Sequence, residues 1–342
     1  MYSSYSPLQQ SQLAAQGYYD TQSTYLLVYA PGRNTALRAT LADQLHRKFR
    51  LADTLGSALT EGVDGVLLVS EDVECMSTAL MCFAKALQDG ADYAVCNAVF
   101  GFGGATALYQ SRAHLAQNRC ALVSRPLLER CRAAAKDPEN VTELLALAAQ
   151  FCAHPTRIPQ ALLHYERDIC AEDAFSATGK RAFLMSHVLD MTGAPIVLVS
   201  AVPVLRSMGY EVVVLGPSDG GALQLFVDAG AAVITRPGIR ATPNLWGLAL
   251  CTDLVLVNTV VMARTVRALS GTAVPVLWWL HDAFAGYPHI AHQIPTKLAE
   301  NVRLYSVGHH AANAMHAVRP DFQIGQLIYG LPDYAAEDFP RC

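Results

Sequence analysis

The chain reads as an α/β protein of two α/β domains, the second a Rossmann-like parallel sheet with helices on both faces. Three observations point there. Residues 182 to 330 repeat one pattern seven times: an apolar run, a turn, then an amphipathic stretch. The runs are nearly continuous in apolar residues, as parallel strands covered on both faces require. The 342 residues, 52% apolar and 16% charged, exceed one ordinary domain of roughly 150 residues. With a mean hydropathy of +0.22, that composition excludes disorder for most of the chain.

Taken in order, residues 1–23 are rich in Ser, Gln and Tyr, carry one charge (Asp20) and show no apolar period. They are expected to be a disordered tail. A first domain is expected over 24–152. Its opening strand, Tyr25 to Tyr29, is ended by Pro31-Gly32. Helical spacing covers Thr35 to Phe49, Met76 to Leu87 and Val141 to Cys152. Strands are expected at Gly65 to Ser70, Asp92 to Ala98 and Cys120 to Val123. The last leads into a helix from Pro126, whose ring suits a first helical turn. Residues 153–180 contain Pro155, Pro159 and mixed charges, and read as a linker with a short helix near Ala161 to His164. The second domain is expected over 181–333, with a tail at 334–342. Its strands fall near 182–187, 211–215, 231–235, 253–257, 274–279, 302–306 and 324–328, and its helices near 195–208, 222–229, 260–269, 295–300 and 309–317. Such alternation gives a parallel sheet with right-handed crossovers.

Composition also bounds the function. A net charge of −4 and a pI near 6.2 offer no nucleic-acid footprint, which needs clustered Lys and Arg. No apolar run reaches the roughly 18 residues that span a bilayer, and the polar opening residues do not form a signal peptide. The nine cysteines are scattered and never form C-x-x-C. They are expected to be reduced, mostly buried thiols of a cytoplasmic protein.

Polar and Gly-rich residues gather where apolar runs of the second domain end, the edge of an open parallel sheet where ligands bind. Thr192-Gly193-Ala194-Pro195 lies between the first strand and its helix. Free N–H groups there can hold a phosphate, and a tight turn without ligand explains the sequence equally well. Asp219, in Ser218-Asp219-Gly220-Gly221, can bind sugar hydroxyls, although turn chemistry and a helix cap are the plainer account. His281-Asp282 closes the strand VPVLWWL and suits a general base or electrostatic group. His289, His292, His309, His310 and His316 match no zinc spacing. In the first domain, Glu71-Asp72-Val73-Glu74 follows the strand GVLLVS. Acidic residues at a strand end can hold Mg²⁺ or Mn²⁺ on a nucleotide diphosphate, and a solvated turn explains them as well. Phe100-Gly101-Phe102-Gly103-Gly104-Ala105 loosely suggests a dinucleotide turn but lacks the acidic residue that completes it.

From residue 181 to about 333 the chain resembles the N-terminal, acceptor-side domain of family 4 glycosyltransferases, which have the GT-B fold. The resemblance rests on FLMSH, Leu189, TGAP, the helix-and-strand run IVLVSAVPVLRSMGYEVVVLGPSDG, AGAAVI, DLVLVNTVV, VPVLWWLHDAFAGY and IYGLPD. It implies that Gly193, with Thr192 and Ala194, lies near the donor diphosphate. It further implies that His281 lies near the reacting sugar, with Asp282 and Asn258 as neighbours. GT-B enzymes carry a second Rossmann-like domain for the nucleotide sugar, and IYGLPD stands where that domain begins. A separate donor-binding domain or chain is therefore expected. The first domain resembles the later half of a family 2, GT-A glycosyltransferase through GVDGVLLVSEDVE and CALVSRPLLERC. That resemblance implies a Mg²⁺ or Mn²⁺ site at Asp72 and Glu74, with Ser70-Glu71-Asp72 departing from Asp-x-Asp. No cofactor is implied for the GT-B-like domain.

The implied function is transfer of a sugar from a nucleotide-sugar donor to a glycan or lipid-linked acceptor in cell-surface polysaccharide assembly, in the cytoplasm or at the inner face of the membrane. Two alternatives stand beside it. One is a catalytically inactive acceptor-binding or scaffold module, and the other a nucleotide-sugar epimerase-like protein.

Overall fold

The computed structural model describes residues 6–329 except 57, 58, 60, 61, 102–105, 177, 178 and 240–245. The chain is α/β and divides into two compact units, Met1–Gly179 with Gly230–Pro237, and Lys180–Ala229 with Gly238–Cys342.

The first unit opens with α1 (Pro7–Ala15), capped by Ser6 in a reciprocal capping box with Gln9. The expectation of a disordered tail thus meets a helix, and Thr21 beyond it is buried with its hydroxyl 2.8 Å from His46 Nδ1. Then come β1 (Leu26–Tyr29), α2 (Thr35–Leu41), β2 (Phe49–Ala52), β3 (Gly65–Val69), β4 (Glu74–Cys75), α3 (Ala79–Gln88), β5 (Tyr93–Phe100), β6 (Thr106–Tyr109), β7 (Cys120–Ser124), α4 (Arg125–Ala134), α5 (Val141–Phe151), β8 (Thr156–Tyr165) and α6 (Ala171–Ala174). The predicted helix over Thr35 to Phe49 stops at Leu41, and its end is the edge strand β2. Strand β1 lies between β2 and β3, parallel to both. Strands β7, β5 and β6 continue the sheet antiparallel. Leu27, Val66, Leu68, Tyr93, Ala121 and Val123 pack against Leu127, Leu128, Leu144 and Leu145 of α4 and α5. Both helices start where the sequence supplies a cap, Ser124 before Pro126 and Asn140 before Val141.

The predicted linker over 153–180 is corrected here: its first half holds the ten-residue strand β8, parallel to β5 and antiparallel to β4. Pro159 hid the strand, because proline cannot donate to a ladder. The structure accommodates it at a register shift against Asn97, whose side chain donates to the Pro159 carbonyl at 2.7 Å. Beyond the shift, Leu162, Leu163 and Tyr165 are buried.

The second unit holds β9 (Lys180–Met185), α7 (Gly193–Ser207), β10 (Tyr210–Gly216) and α8 (Leu223–Asp228). The next strand, β11 (Ala232–Thr235), belongs with the first unit and pairs antiparallel with β6. The second unit resumes with α9 (Trp246–Leu250), β12 (Leu254–Asn258), α10 (Ala263–Leu269), β13 (Val276–Leu280), β14 (Val302–Ser306), α11 (His309–His316) and β15 (Ile324–Gln326). The helix expected at 295–300 does not form, and α9 was not foreseen. Strand order is β15-β14-β13-β12-β9-β10, with every pairing parallel. Phe183, Leu184, Val213, Val214, Val255, Val257, Val276 and Trp278 are shut off from solvent, which is why these strands read as unbroken apolar runs. The chain leaves β9 toward β10 on one side and returns to β12 on the other. The order therefore reverses between β9 and β12, and the crevice outside their carboxyl ends is the place where open α/β sheets bind ligands.

Candidate functional site at the strand reversal

The carboxyl ends of β9, β12 and β13 bring together Gly193, Asn258, Thr259, His281 and Asp282 on one edge, with His187 just past β9. Thr192 is the N-cap of α7 and makes no side-chain capping bond. Gly193, Thr192 and Met191 are exposed, and a Cβ at Gly193 would meet no protein atom. The first turn of α7 therefore opens onto unfilled space. The loop that precedes it is held from below by the second strand's turn. A Cβ at Gly220 would lie 2.3 Å from the Leu189 carbonyl oxygen, and the Ala222 N–H donates to that oxygen at 2.8 Å. The Gly-rich stretch around Asp219 thus seats Leu189 and the loop leading to Gly193. Asp219 itself is exposed.

Asn258 is fully buried and pins β12 to α7 by donating from Nδ2 to the Ala194 carbonyl at 3.0 Å. Its Oδ1 is buried without a hydrogen-bond partner. His281 stands beside Trp279, with ring centroids 4.7 Å apart, and its Nε2 is also buried and unpartnered. Tyr287 OH and Ser306 Oγ share that condition. A buried polar atom without a partner costs about 1–3 kcal/mol, so several near one sheet edge mark a place where a ligand or water completes them. Burial, and after it the neighbouring His187, hold the His281 pKa down to about 4. The ring is neutral at pH 7. Burial raises the Asp282 carboxyl above its ordinary range even though its Oδ2 accepts the Val260 N–H at 2.6 Å.

Thr259 has φ 71 and ψ 160, the one non-glycine residue at positive φ among the described residues. That region is essentially reserved for glycine and costs of order 1–3 kcal/mol. Sequence reasoning missed Thr259, His187, Tyr287 and Ser306. A backbone angle leaves no mark in residue type, and the hydroxyls sit inside otherwise apolar stretches.

The second unit also carries an open groove of about 750 Å³ lined by residues of 296–305 and 321–325. It lies at the amino ends of β14 and β15, the edge away from these groups.

In the first unit, a pocket of about 260 Å³ lies outside the carboxyl ends of β3 and β8, lined by Ala36, Glu71–Glu74 and His164–Arg167. Both metal candidates line it, and both are occupied. Asp72 accepts the Ala36 and Leu37 N–H groups at 3.1 and 3.0 Å and the Thr35 hydroxyl at 3.0 Å, capping α2 from outside. Burial would raise its pKa, but these donors outweigh burial and hold it low. Glu74 Oε2 lies 2.6 Å from His164 Nδ1, while the ring's Nε2 lies 2.8 Å from the Gly101 carbonyl. The carbonyl first, and then Glu74, raise the His164 pKa against burial. Arg167 clamps buried Asp173 in bidentate fashion at 2.6 and 2.8 Å and reaches Glu71 at 2.7 Å. Its guanidinium lies over Phe100 and Tyr165. Asp72, Glu74 and Glu71 each engage a donor of the protein itself, so a Mg²⁺ or Mn²⁺ ion would compete with those donors for its oxygen ligands. Among the described residues no group of three His, Cys, Asp or Glu side chains is placed to hold a metal. The Gly-rich turn at 102–105 lies outside the described residues.

No helix among the described residues is long and apolar enough to cross a membrane. Compared with known proteins, residues 178–316 match the family model described as glycosyl-transferase family 4. No curated protein and no solved structure matches the chain. The family match spans β9 to α11 and contains every residue named at the strand reversal, whereas the first unit's acidic cluster lies before it. It supports a glycosyltransferase domain of the family 4 type over those residues.

Proposed function

We propose that the second unit is the acceptor-side half of a glycosyltransferase that moves a sugar from a nucleotide-sugar donor to a glycan or lipid-linked acceptor in cell-surface polysaccharide assembly. One observation carries this reading. Inside the segment that matches glycosyl-transferase family 4, His281 Nε2 and Asn258 Oδ1 are buried and unpartnered at the strand reversal. Sugar hydroxyls, which both donate and accept, complete such groups. Phe284, exposed on the loop after Asp282, adds an apolar face beside them. The open first turn of α7 at Gly193 faces the donor's diphosphate, where its free N–H groups supply hydrogen bonds. A second nucleotide-binding domain or chain supplies the rest of the donor site.

His281 with a pKa of about 4 is deprotonated at pH 7 but a weak base, far from the value that favours proton transfer near neutrality. Its role is to accept or donate a hydrogen bond that orients a hydroxyl. That low basicity also favours the second reading, an acceptor-binding module without transfer of its own. Calorimetry and a transfer assay with a panel of UDP- and GDP-sugars and oligosaccharide acceptors test both. Saturable binding lost in His281→Ala supports the site, turnover adds the enzyme, and no binding of any sugar ligand contradicts both readings.

A further inference from the structure

We propose that Thr259 is the positioning residue of this site, holding the His187 ring in place through a hydroxyl that only its strained backbone can present. The inference rests on the proposed sugar site and assigns what orders it. Thr259 is buried, and its φ of 71 with ψ 160 lies where a β-branched side chain is a genuine outlier. Three bonds enforce that conformation. The Thr259 N–H donates to the Trp279 carbonyl at 2.8 Å, buried Trp278 Nε1 donates to the Thr259 carbonyl at 2.8 Å, and Asp282 Oδ2 takes the next N–H, that of Val260, at 2.6 Å. Strand β13 and the residue just past its end thus hold the end of β12 in a shape it would not adopt alone. With the backbone so turned, Thr259 Oγ1 lies 3.4 Å from His187 Nδ1. His187 is close enough to His281 to influence it electrostatically.

Backbone strain that persists because its surroundings over-determine it gathers at functional sites. A turn needing this conformation for shape alone would be served by glycine without strain. Threonine satisfies the shape and adds the hydroxyl. Asp282 is then a positioning residue as well: its carboxylate is spent on the Val260 N–H, and it acts on the site through Thr259.

The test uses the full chain with ¹⁵N-labelled histidine and three variants, Thr259→Gly, Thr259→Ser and Asp282→Ala. In the unsubstituted protein the His187 ring nitrogens should report one tautomer. Thr259→Gly should keep or raise the melting temperature, because strain is relieved, yet move the His187 ring shifts toward a tautomer mixture. Affinity for a UDP- or GDP-sugar should fall about tenfold. Thr259→Ser should keep the unsubstituted His187 signature, and Asp282→Ala should lose it. Unchanged His187 shifts in Thr259→Gly, or a serine variant that behaves like glycine, would overturn the assignment. If no nucleotide sugar binds the unsubstituted chain while the His187 shifts respond as described, the proposed function falls and the positioning role stands.

Discussion

The two units present polar clusters at carboxyl strand ends, and the clusters differ in where their hydrogen bonds go. In the first unit, charge is abundant and internally consumed. Glu71 and Asp173 lie on Arg167, Glu74 on His164, and Asp72 on the start of α2. In the second unit, the groups at the strand reversal are mostly neutral, and His281 Nε2, Asn258 Oδ1, Tyr287 OH and Ser306 Oγ are buried without partners. Acidic residues at a strand end look like chemistry, yet here the protein has answered them. The uncharged edge keeps hydrogen-bonding capacity in reserve, and that reserve is what a ligand can use. Charge density is therefore a poorer guide to the site than unsatisfied polarity.

The comparison can be broken most forcefully in the first unit. Arg167→Ala leaves Asp173, only 2% exposed, as a buried carboxylate without its bidentate partner. Asp173 keeps the Cys170 N–H, with Arg119 4.0 Å away, so the loss should be about 1–3 kcal/mol, the cost of taking a partner from a buried polar group, and chemical denaturation should show it. Sugar binding at native conditions should be unaffected. A negligible loss would show that the network is less closed than its distances imply.

The two histidines offer a second test, since they titrate with opposite sign. His281, lowered to about 4, binds its proton more readily in the unfolded chain. Its contribution is present above about 6.5 and is lost as pH falls through about 4, for a total of roughly 3 kcal/mol at about 1.4 per unit. His164 is raised, so its contribution is present below the unfolded value and lost as pH rises through the folded one. Stability curves of His281→Ala and His164→Ala should deviate from the parent at opposite ends of the pH range. Deviation at the same end would contradict the assignments.

A smaller effect separates binding from transfer. If His281 orients a hydroxyl, His281→Ala should weaken sugar binding about tenfold, the scale of one net hydrogen bond of about 0.5–1.5 kcal/mol. A fall in kcat of about 10²–10⁴, measured with a complete donor site and saturating substrates, would instead indicate proton transfer. The smallest effect expected is none: millimolar Mn²⁺ should leave the melting temperature unchanged, because Asp72, Glu74 and Glu71 already engage donors of the protein itself. A rise that Asp72→Asn abolishes would reopen the first unit as a metal site.

How much of this was legible in the sequence follows from what each strand faces. Strands β9, β12 and β13 are covered on both sides, so their apolar runs stand out and place Gly193, Asn258, His281 and Asp282 at strand ends. Strand β8 shows neither a continuous apolar run nor a clean alternation and contains Pro159, and it reads as a linker because the register shift at Asn97 that admits the proline belongs to another strand. Strand β11 was recognisable as a strand, yet its pairing with β6 and its place in the first unit were not, since an apolar run does not name its partner. Asp72 and Glu74 were visible as acids and invisible as occupied, because their partners Leu37 and His164 are about 35 and 90 positions away in the chain. Thr259 lay beyond reach, as its meaning is a dihedral angle.

The most direct measurement is a histidine-ring NMR titration of the full chain with nucleotide sugars and oligosaccharide acceptors. The account predicts that the His281 Nε2 resonance moves saturably with ligand while His164, held between Glu74 and the Gly101 carbonyl, stays fixed. Movement of His164 with His281 unchanged would place the ligand in the first unit and contradict the account.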